Sequence, residues 1–291
     1  MSATTQKKRK SPKALAISAK EQLIHIFTSP IRAFKFLCFA TGVAFWSFAA
    51  LVGLITYLFF ASLPDVEAMN FTALKKVART QVYERFEKRG GKHIWVPLSG
   101  INRDFLYAVV LSEDRSFFEH DGVNYGAIMQ AFAANLKKGR PVFGGSTISQ
   151  QVAKNLFLDD SKTFSRKLKE VILTKRLEAT FSKNELLEIY LNLAEFGPDI
   201  FGAESVARNV FRKAPSEINA AEGAFIALLL PSPRRNFYSL VQNRHVSEAK
   251  REKLQNILKG MLYSEYISPK QYSRYVRYDY APALKRAVAG R

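Results

Sequence analysis

"EDRSFFEHDG", residues 113–122, sets Glu113 and three further carboxylates (Asp114, Glu119, Asp121) beside His120 and the pair Phe117–Phe118. Upstream of it, Phe105, Leu106, Val109 and Val110 recur at helical spacing, so the chain from about Arg103 to Glu113 reads as an amphipathic helix. Glu113 then ends an apolar helix and meets aromatic surface in the next turn. A carboxyl desolvated in that way holds its proton more tightly, which suits general acid or base work. The same acids would also serve as a solvated helix terminus, and His120 as a hydrogen-bonded structural histidine. The rest of the chain has to decide.

Helical patterns dominate on both sides of this stretch. Asn124 is placed to cap a helix that runs to Lys138 before Gly139. After the turn signal "GRPVFGG", Ser146 is expected to cap a helix through Asn155. A long helix is predicted over Thr163–Thr180, and Ser182 with Glu185 makes a capping box for a helix to Leu193. Further helices are expected near 203–212, 217–230 and 244–263, with a short one after Pro269. Between the N-terminal segment and Arg103, residues 65–94 read as a polar connector, partly helical, ending near Gly90–Gly91. Its neighbour "KHIWVPLS", 92–99, is the one good strand candidate. The expected fold class is mainly α.

The chain has 291 residues, 47% hydrophobic and 24% charged, the balance of a folded protein. A single cysteine, Cys38, excludes an intrachain disulfide framework and a cysteine-based zinc site. His25, His93 and His245 have no partners at metal-ligand spacing. From Phe36 to Pro64, 29 consecutive residues carry no charge. Crossing the hydrocarbon core takes roughly 20 apolar residues, so a single transmembrane helix is expected over 36–64. Residues 1–35 carry eight Lys/Arg against Glu21 alone, and such a basic flank stays in the cytoplasm while the larger part is exported. Of the formal charge of +19, +12 lies beyond that tail, which suits a surface of anionic lipid headgroups. The orientation puts nucleic acid out of reach as a partner.

Two further motifs carry chemistry. In "GGSTISQQVAKN", 144–155, two glycines permit close approach of a ligand, and Ser146 and Thr147 open a helix whose N-terminus favours an anionic or hydroxylated group. Read alone, it is equally a well-capped helix after a loop, and it lacks the spacing of a P-loop. In "SRKLKE", 165–170, Arg166 and Glu170 are four apart, by default a surface ion pair. Lys162, Lys167 and Lys169 nevertheless gather positive charge around that carboxylate, as a departing pyrophosphate would require. "SEAK", 247–250, has the S-x-x-K spacing of a penicillin-binding nucleophile, but no partner motif follows and about forty residues remain.

Taken in order, "EDRSFFEHDG", "GGSTISQQ" with "KN" behind it, "RKLKE", "KNELLEIYLN", "GAESVARNVFRK" and "AAEGAFIALLLPSP" resemble glycosyltransferase family 51, the peptidoglycan glycosyltransferases, over roughly residues 95–240. With one anchor and no transpeptidase signature, the chain is similar to the monofunctional biosynthetic peptidoglycan transglycosylases. The organisation this implies is a basic cytoplasmic tail (1–35), a transmembrane helix (36–64), a connecting segment (65–94), a glycosyltransferase domain (95–265) and a basic C-terminal extension (266–291). The location implied is the inner (cytoplasmic) membrane, single-pass, with the catalytic domain in the periplasm. The fold implied is a lysozyme-like bilobed α-domain. Its small membrane-facing lobe would come from about 124–160, where Phe132, Leu136, Val142 and Phe143 lie beside Lys137, Lys138 and Arg140.

The resemblance further implies polymerisation of lipid II onto a growing glycan strand, with inversion at the anomeric carbon and release of undecaprenyl pyrophosphate. Glu113 falls on the family's catalytic base and Glu170 on its second glutamate, which orients the reacting groups or holds a divalent cation, Mg²⁺ or Mn²⁺. No organic cofactor is implied. Lys154, Lys162, Arg166 and Lys167 fall where diphosphate and sugar are bound. Asp114, Ser146, Thr147, Gln150 and Gln151 would shape the cleft, with Glu188 the polar contact of "KNELLEIYLN". Three positions depart from the family's common residues: Ser149 for threonine, Leu186 for isoleucine and Lys162 for arginine, the last keeping charge but losing the planar fork. The implied partners are lipid II, the glycan strand, membrane lipids and other cell-wall synthesis or division proteins. Two other functions stay open at this point. One is a glycan-cleaving muramidase or lytic transglycosylase, against which the cations around Glu170 weigh. The other is a non-catalytic membrane-anchored cell-wall scaffold, against which the intact glutamate pair weighs.

Overall fold

The computed structural model describes residues 30–139 and 145–289, in two compact units that divide between Leu63 and Pro64. In the first, helix α1 spans Pro30–Ala61, 32 residues with none buried, and is long and apolar enough to cross a membrane. It begins six residues before the predicted span and takes in Arg32 and Lys35. Pro30 stands at its first position, where proline's fixed φ and missing N–H cost nothing. The helix ends before Pro64, whose ring disfavours helical backbone in the residue ahead of it.

The second unit is mainly helical. Helix α2 (Phe71–Arg85), capped by Asn70, buries Leu74, Ala78 and Val82 on one face, so the expected connector is a core element. Helix α3 (Arg103–Glu113) forms as its pattern predicts, burying Phe105, Ala108, Val109 and Val110. The stretch 92–99 does not form the expected strand. Its polar backbone is satisfied by side chains instead: Asn192 accepts from Val96 N (2.9 Å) and donates to Val96 O (2.8 Å), and Glu188 accepts from Leu98 N (2.9 Å). With both groups of Val96 and the N–H of Leu98 already bonded to side chains, these groups are not available to a partner strand.

Asn124 caps α4 (Tyr125–Lys138), and α4 ends on Gly139 in the left-handed conformation. Arg140, Val142, Phe143 and the side chains of Phe132, Lys137 and Lys138 lie outside the described residues. Helices α5 (Ile148–Phe157), α6 (Phe164–Thr180) and α7 (Lys183–Leu193) follow. The Ser182–Glu185 capping box opens α7, and every residue from Leu186 to Leu193 is buried. Such a helix belongs inside a domain, with neighbours on all sides.

A two-stranded antiparallel ribbon, β1 (Glu195–Gly197) with β2 (Ile200–Phe201), then turns the chain; it is too short to show a period in the sequence. Helix α8 (Gly202–Val206) continues into a π-helical turn over Ala207–Phe211. Helix α9 (Ala220–Ala227) is buried at every position and packs along α3. At their crossing, a side chain on Gly223 would meet the Phe105 Cα at 3.0 Å, so glycine is what lets the two backbones approach. Helix α10 (Pro233–Phe237), not anticipated from the sequence, precedes α11 (Glu248–Tyr263) and α12 (Pro269–Tyr275). A last helix, α13 (Ala281–Ala289), was not anticipated either; it buries Ala283, Leu284 and Ala287. Tyr280 donates to Ala221 O (3.0 Å) and Tyr278 to Glu222 (2.6 Å), so the stretch expected as an extension is tied into the core.

Candidate active site

The opening stretch folds around Asp114. This buried carboxylate accepts from Ile148 N at the start of α5 (3.0 Å) and from His120 Nε2 (2.9 Å). Because His120 Nδ1 accepts from Gly122 N (3.1 Å), the neutral ring carries its proton on Nε2, facing Asp114. Gly122 has φ 84°, and a Cβ there would sit 2.7 Å from Glu178 Cγ and Thr174 Cγ2, so only glycine closes this turn against α6. Lys183 bonds both His120 O (2.6 Å) and Glu178 (2.7 Å), and Ser149 donates to Glu178. Segments far apart in sequence are thereby locked together beside Glu113.

Glu113 is the last residue of α3. Burial pushes its carboxyl above the usual glutamate range, against the pull of the Lys253 charge and of Gln151 and Ser112. Its oxygen Oε2 accepts from Gln151 Nε2 at 3.4 Å. Helix α5 presents Gln151. Thr147 caps that helix, accepting from Gln150 N (3.1 Å) while Gln150 Oε1 accepts from Thr147 N (3.0 Å). The cap is therefore Thr147 and not Ser146, which is left exposed.

Glu170 is buried on α6 between Arg166 Nη1 (2.9 Å) and Lys167 Nζ. Arg166 also donates to Ser161 O, and Thr163 caps the helix. The expected surface ion pair is thus a buried one with two cations. Both carboxylate oxygens are committed to them, and no three acidic, histidine or cysteine side chains converge among the described residues. The residues present do not by themselves make a metal site.

A cleft of about 1200 Å³ joins these pieces. Glu113, Ser146, Gln150, Gln151, Lys154 and Glu170 line it. Asp114 and Thr147 line a smaller hollow of about 410 Å³ that shares Glu113 and Ser146 with the cleft. Arg166 and Lys167 reach the site through Glu170, and Lys162 is exposed. Glu188 stands elsewhere: it accepts from Trp95 Nε1 (3.0 Å) and Leu98 N (2.9 Å) and pairs with Lys75 (3.0 Å). Its bonds go to the fold.

Several lining residues escaped the sequence reading, among them Arg85, Arg234, Lys253 and Tyr190. Arg85 of α2 donates to Asn155 O (3.0 Å), and Arg234 of α10 pairs with Glu195 (2.9 Å). Lys253 of α11 adds charge near Glu113, and the buried Tyr190 of α7 also lines the cleft. Lys253 gave no signal beyond one more charge on a charged helix. Tyr190 gave a faint one, a polar-tipped ring within the buried run Leu186–Leu193.

Residues 79–262 match the family described as Transglycosylase. The chain belongs to the transglycosylase family. The matched span begins within α2 and takes in every residue that lines the cleft. Among curated transglycosylases, the chain is 48% identical over 144 residues to the biosynthetic peptidoglycan transglycosylase of Aromatoleum aromaticum, covering 50% of this chain and 63% of that protein. To the protein of the same name from Azoarcus sp. it is 46% identical over 144 residues, 50% of this chain and 62% of the relative. To that of Methylobacillus flagellatus it is 42% identical over 164 residues, 55% and 72% respectively. The chain thus spans somewhat under two thirds of the length of the first two of these transglycosylases.

Proposed function

We propose that the protein is a peptidoglycan glycosyltransferase, which polymerises lipid II into glycan strands and releases undecaprenyl pyrophosphate. One observation carries this reading: a single cleft is lined by a desolvated carboxyl, Glu113, and by a second, Glu170, that holds two cations. Glu113 takes the proton from the 4-hydroxyl of the acceptor sugar as that oxygen attacks C1 of the donor. The bond from C1 to the diphosphate oxygen breaks on the opposite face, which inverts the anomeric centre. Glu113's raised affinity for a proton suits a base that must accept one near neutrality. Arg166 and Lys167, aligned by Glu170, and Lys154 on the wall face the charge that grows on the departing diphosphate.

The helix α1 serves in this reading as a single-pass anchor in the inner membrane, its basic flank in the cytoplasm and the catalytic unit in the periplasm. Tyr125, Met129 and Leu136 of α4 are all exposed, which fits a surface that touches lipid near the substrate's headgroup. The decisive experiment incubates the purified full chain in detergent with lipid II and separately with preformed peptidoglycan. Glycan polymer from lipid II is expected. Soluble fragments from peptidoglycan would instead support the cleaving enzyme, and no turnover of either would support the scaffold.

A further inference from the structure

The connection that leads from Pro64 into α2 is folded, not loose. Val66 is fully buried. Val66 N donates to Pro64 O (3.1 Å), Met69 N to Val66 O (3.1 Å) and Ala68 N to Asp65 Oδ1 (3.3 Å), and Asn70 then caps α2. All of these residues belong to the second unit. Arg176 of α6 fastens them from a distant part of the chain: its Nη1 donates to Pro64 O (3.3 Å), and its Nε pairs with Glu67 (3.7 Å). In sequence, only Ser62 and Leu63 separate Pro64 from the last residue of α1. The Glu67 side chain is 63% exposed, and an exposed pair adds little to global stability. The effect of Arg176 is local. It ties the residues that follow α1 to the helix that carries Glu170, about 9 Å further along the axis.

We propose that Arg176 is a positioning residue, which mounts the segment behind the membrane anchor on α6 and so presents the cations around Glu170 at a fixed height to a lipid-borne diphosphate. The inference rests on the reading of α1 as an anchor and of those cations as the diphosphate site. A lipid-linked substrate diffuses in the plane of the bilayer, and its charged group keeps one depth. A loose tether would spread the cations over many heights, whereas a short, stiff one holds them at the working height and raises their effective concentration there. No contact with substrate is added. The gain therefore belongs to KM in a bilayer and not to kcat.

The test compares the full chain in vesicles that carry lipid II with the full chain in detergent, where no common plane exists. Arg176→Met keeps an apolar stem and removes the fastening group. In vesicles its KM should rise at least about fivefold with kcat within about twofold, and in detergent both should stay within about twofold. A Gly/Ser insert of about ten residues between Leu63 and Pro64 adds roughly 18 Å of reach and should reproduce that loss with Arg176 intact. The two changes together should lose no more than the larger alone. A role in folding only would instead lower activity alike in both media and move the thermal midpoint by more than about 3 °C. Height is also read without turnover. A fluorophore on the exposed position Ser165→Cys of α6, in a Cys38→Ser background, should be quenched by a headgroup-level quencher in vesicles. Arg176→Met and the insert should each weaken that quenching. An unchanged KM in vesicles, equal losses in both media, or quenching that neither change alters would overturn the proposal. Should the parent fail to polymerise lipid II, the assigned reaction falls, and the quenching still decides whether Arg176 sets the height.

Discussion

At the end of α3, Glu113 is buried with no cation bonded to it; Gln151 is its hydrogen-bond donor, and the Lys253 charge acts on it from α11. Two turns into α6, Glu170 is gripped by Arg166 and Lys167. Both glutamates line one cleft, yet their surroundings assign them opposite work. A carboxylate starved of solvent and of a directly bonded cation gains from taking a proton. One that is already bonded to two cations serves to hold those cations where negative charge will arrive.

The sharpest way to break this contrast is Glu113→Gln. Polymer formation from lipid II should fall by about 10²–10⁴-fold, because the amide cannot accept the proton. Stability should not fall. The native state favours the protonated carboxyl, so as pH rises above the unfolded value the parent loses stability that the glutamine variant keeps. Activity within tenfold of the parent would remove Glu113 from the role of base.

Glu170→Gln should be the next largest. It leaves Arg166 and Lys167 without their partner, and turnover should drop about ten- to a hundredfold. The accompanying loss of stability is about 1–2 kcal/mol, below that of a fully buried pair because the Lys167 side chain is 45% exposed. Added Mg²⁺ or Mn²⁺ should not restore the rate, since the parent carboxylate is committed to the two cations. Recovery on titrating either metal would favour a metal-holding role instead.

Lys253→Met refines the comparison by removing charge from the Glu113 side. Without that cation the ionised carboxylate is less favoured, so the acidic limb of kcat/KM should move to higher pH. At a pH on that limb the loss should be about two- to fivefold, and it should vanish at higher pH. A loss equal at every pH would mean that Lys253 binds substrate and does not tune the base.

Smallest in its effect on turnover is Glu188→Gln, the predicted site residue that the fold placed elsewhere. Burial raises this carboxyl, but bonds from Leu98 N, Trp95 and Lys75 outweigh burial and hold it below the usual range. Its contribution to stability is therefore present above the unfolded pKa and lost as pH falls through the native one. The variant should lose about 1–2 kcal/mol at neutral pH and show a weaker acid dependence of unfolding. kcat should stay within about twofold. A large kcat loss in a stably folded Glu188→Gln would restore it to the substrate site.

Local regularities were legible in the chain. The apolar stripe of α3, the Asn124 cap, the Ser182–Glu185 box and the uncharged run after Lys35 are each set by residues a few positions apart, and each helix formed where its pattern lay. The residue types of the cleft were legible too, because carboxylates, amides and lysines at those spacings have few other uses together. What depended on distant partners was not. The strand expected at 92–99 lost its backbone bonds to Asn192, nearly a hundred residues away, and Glu188 was drawn to Trp95 in the same rearrangement. Thr147 won the cap from Ser146 in the same structure that lets its hydroxyl donate to Gly122 O. Tyr190 and Lys253 entered the site only because α7 and α11 pack where they do. Sequence determines what each helix offers on its faces, through contacts of three or four residues. Which face meets which, and so which carboxyl is dry and which is paired, is decided by burial across the whole unit, and that exists only once the chain has closed on itself.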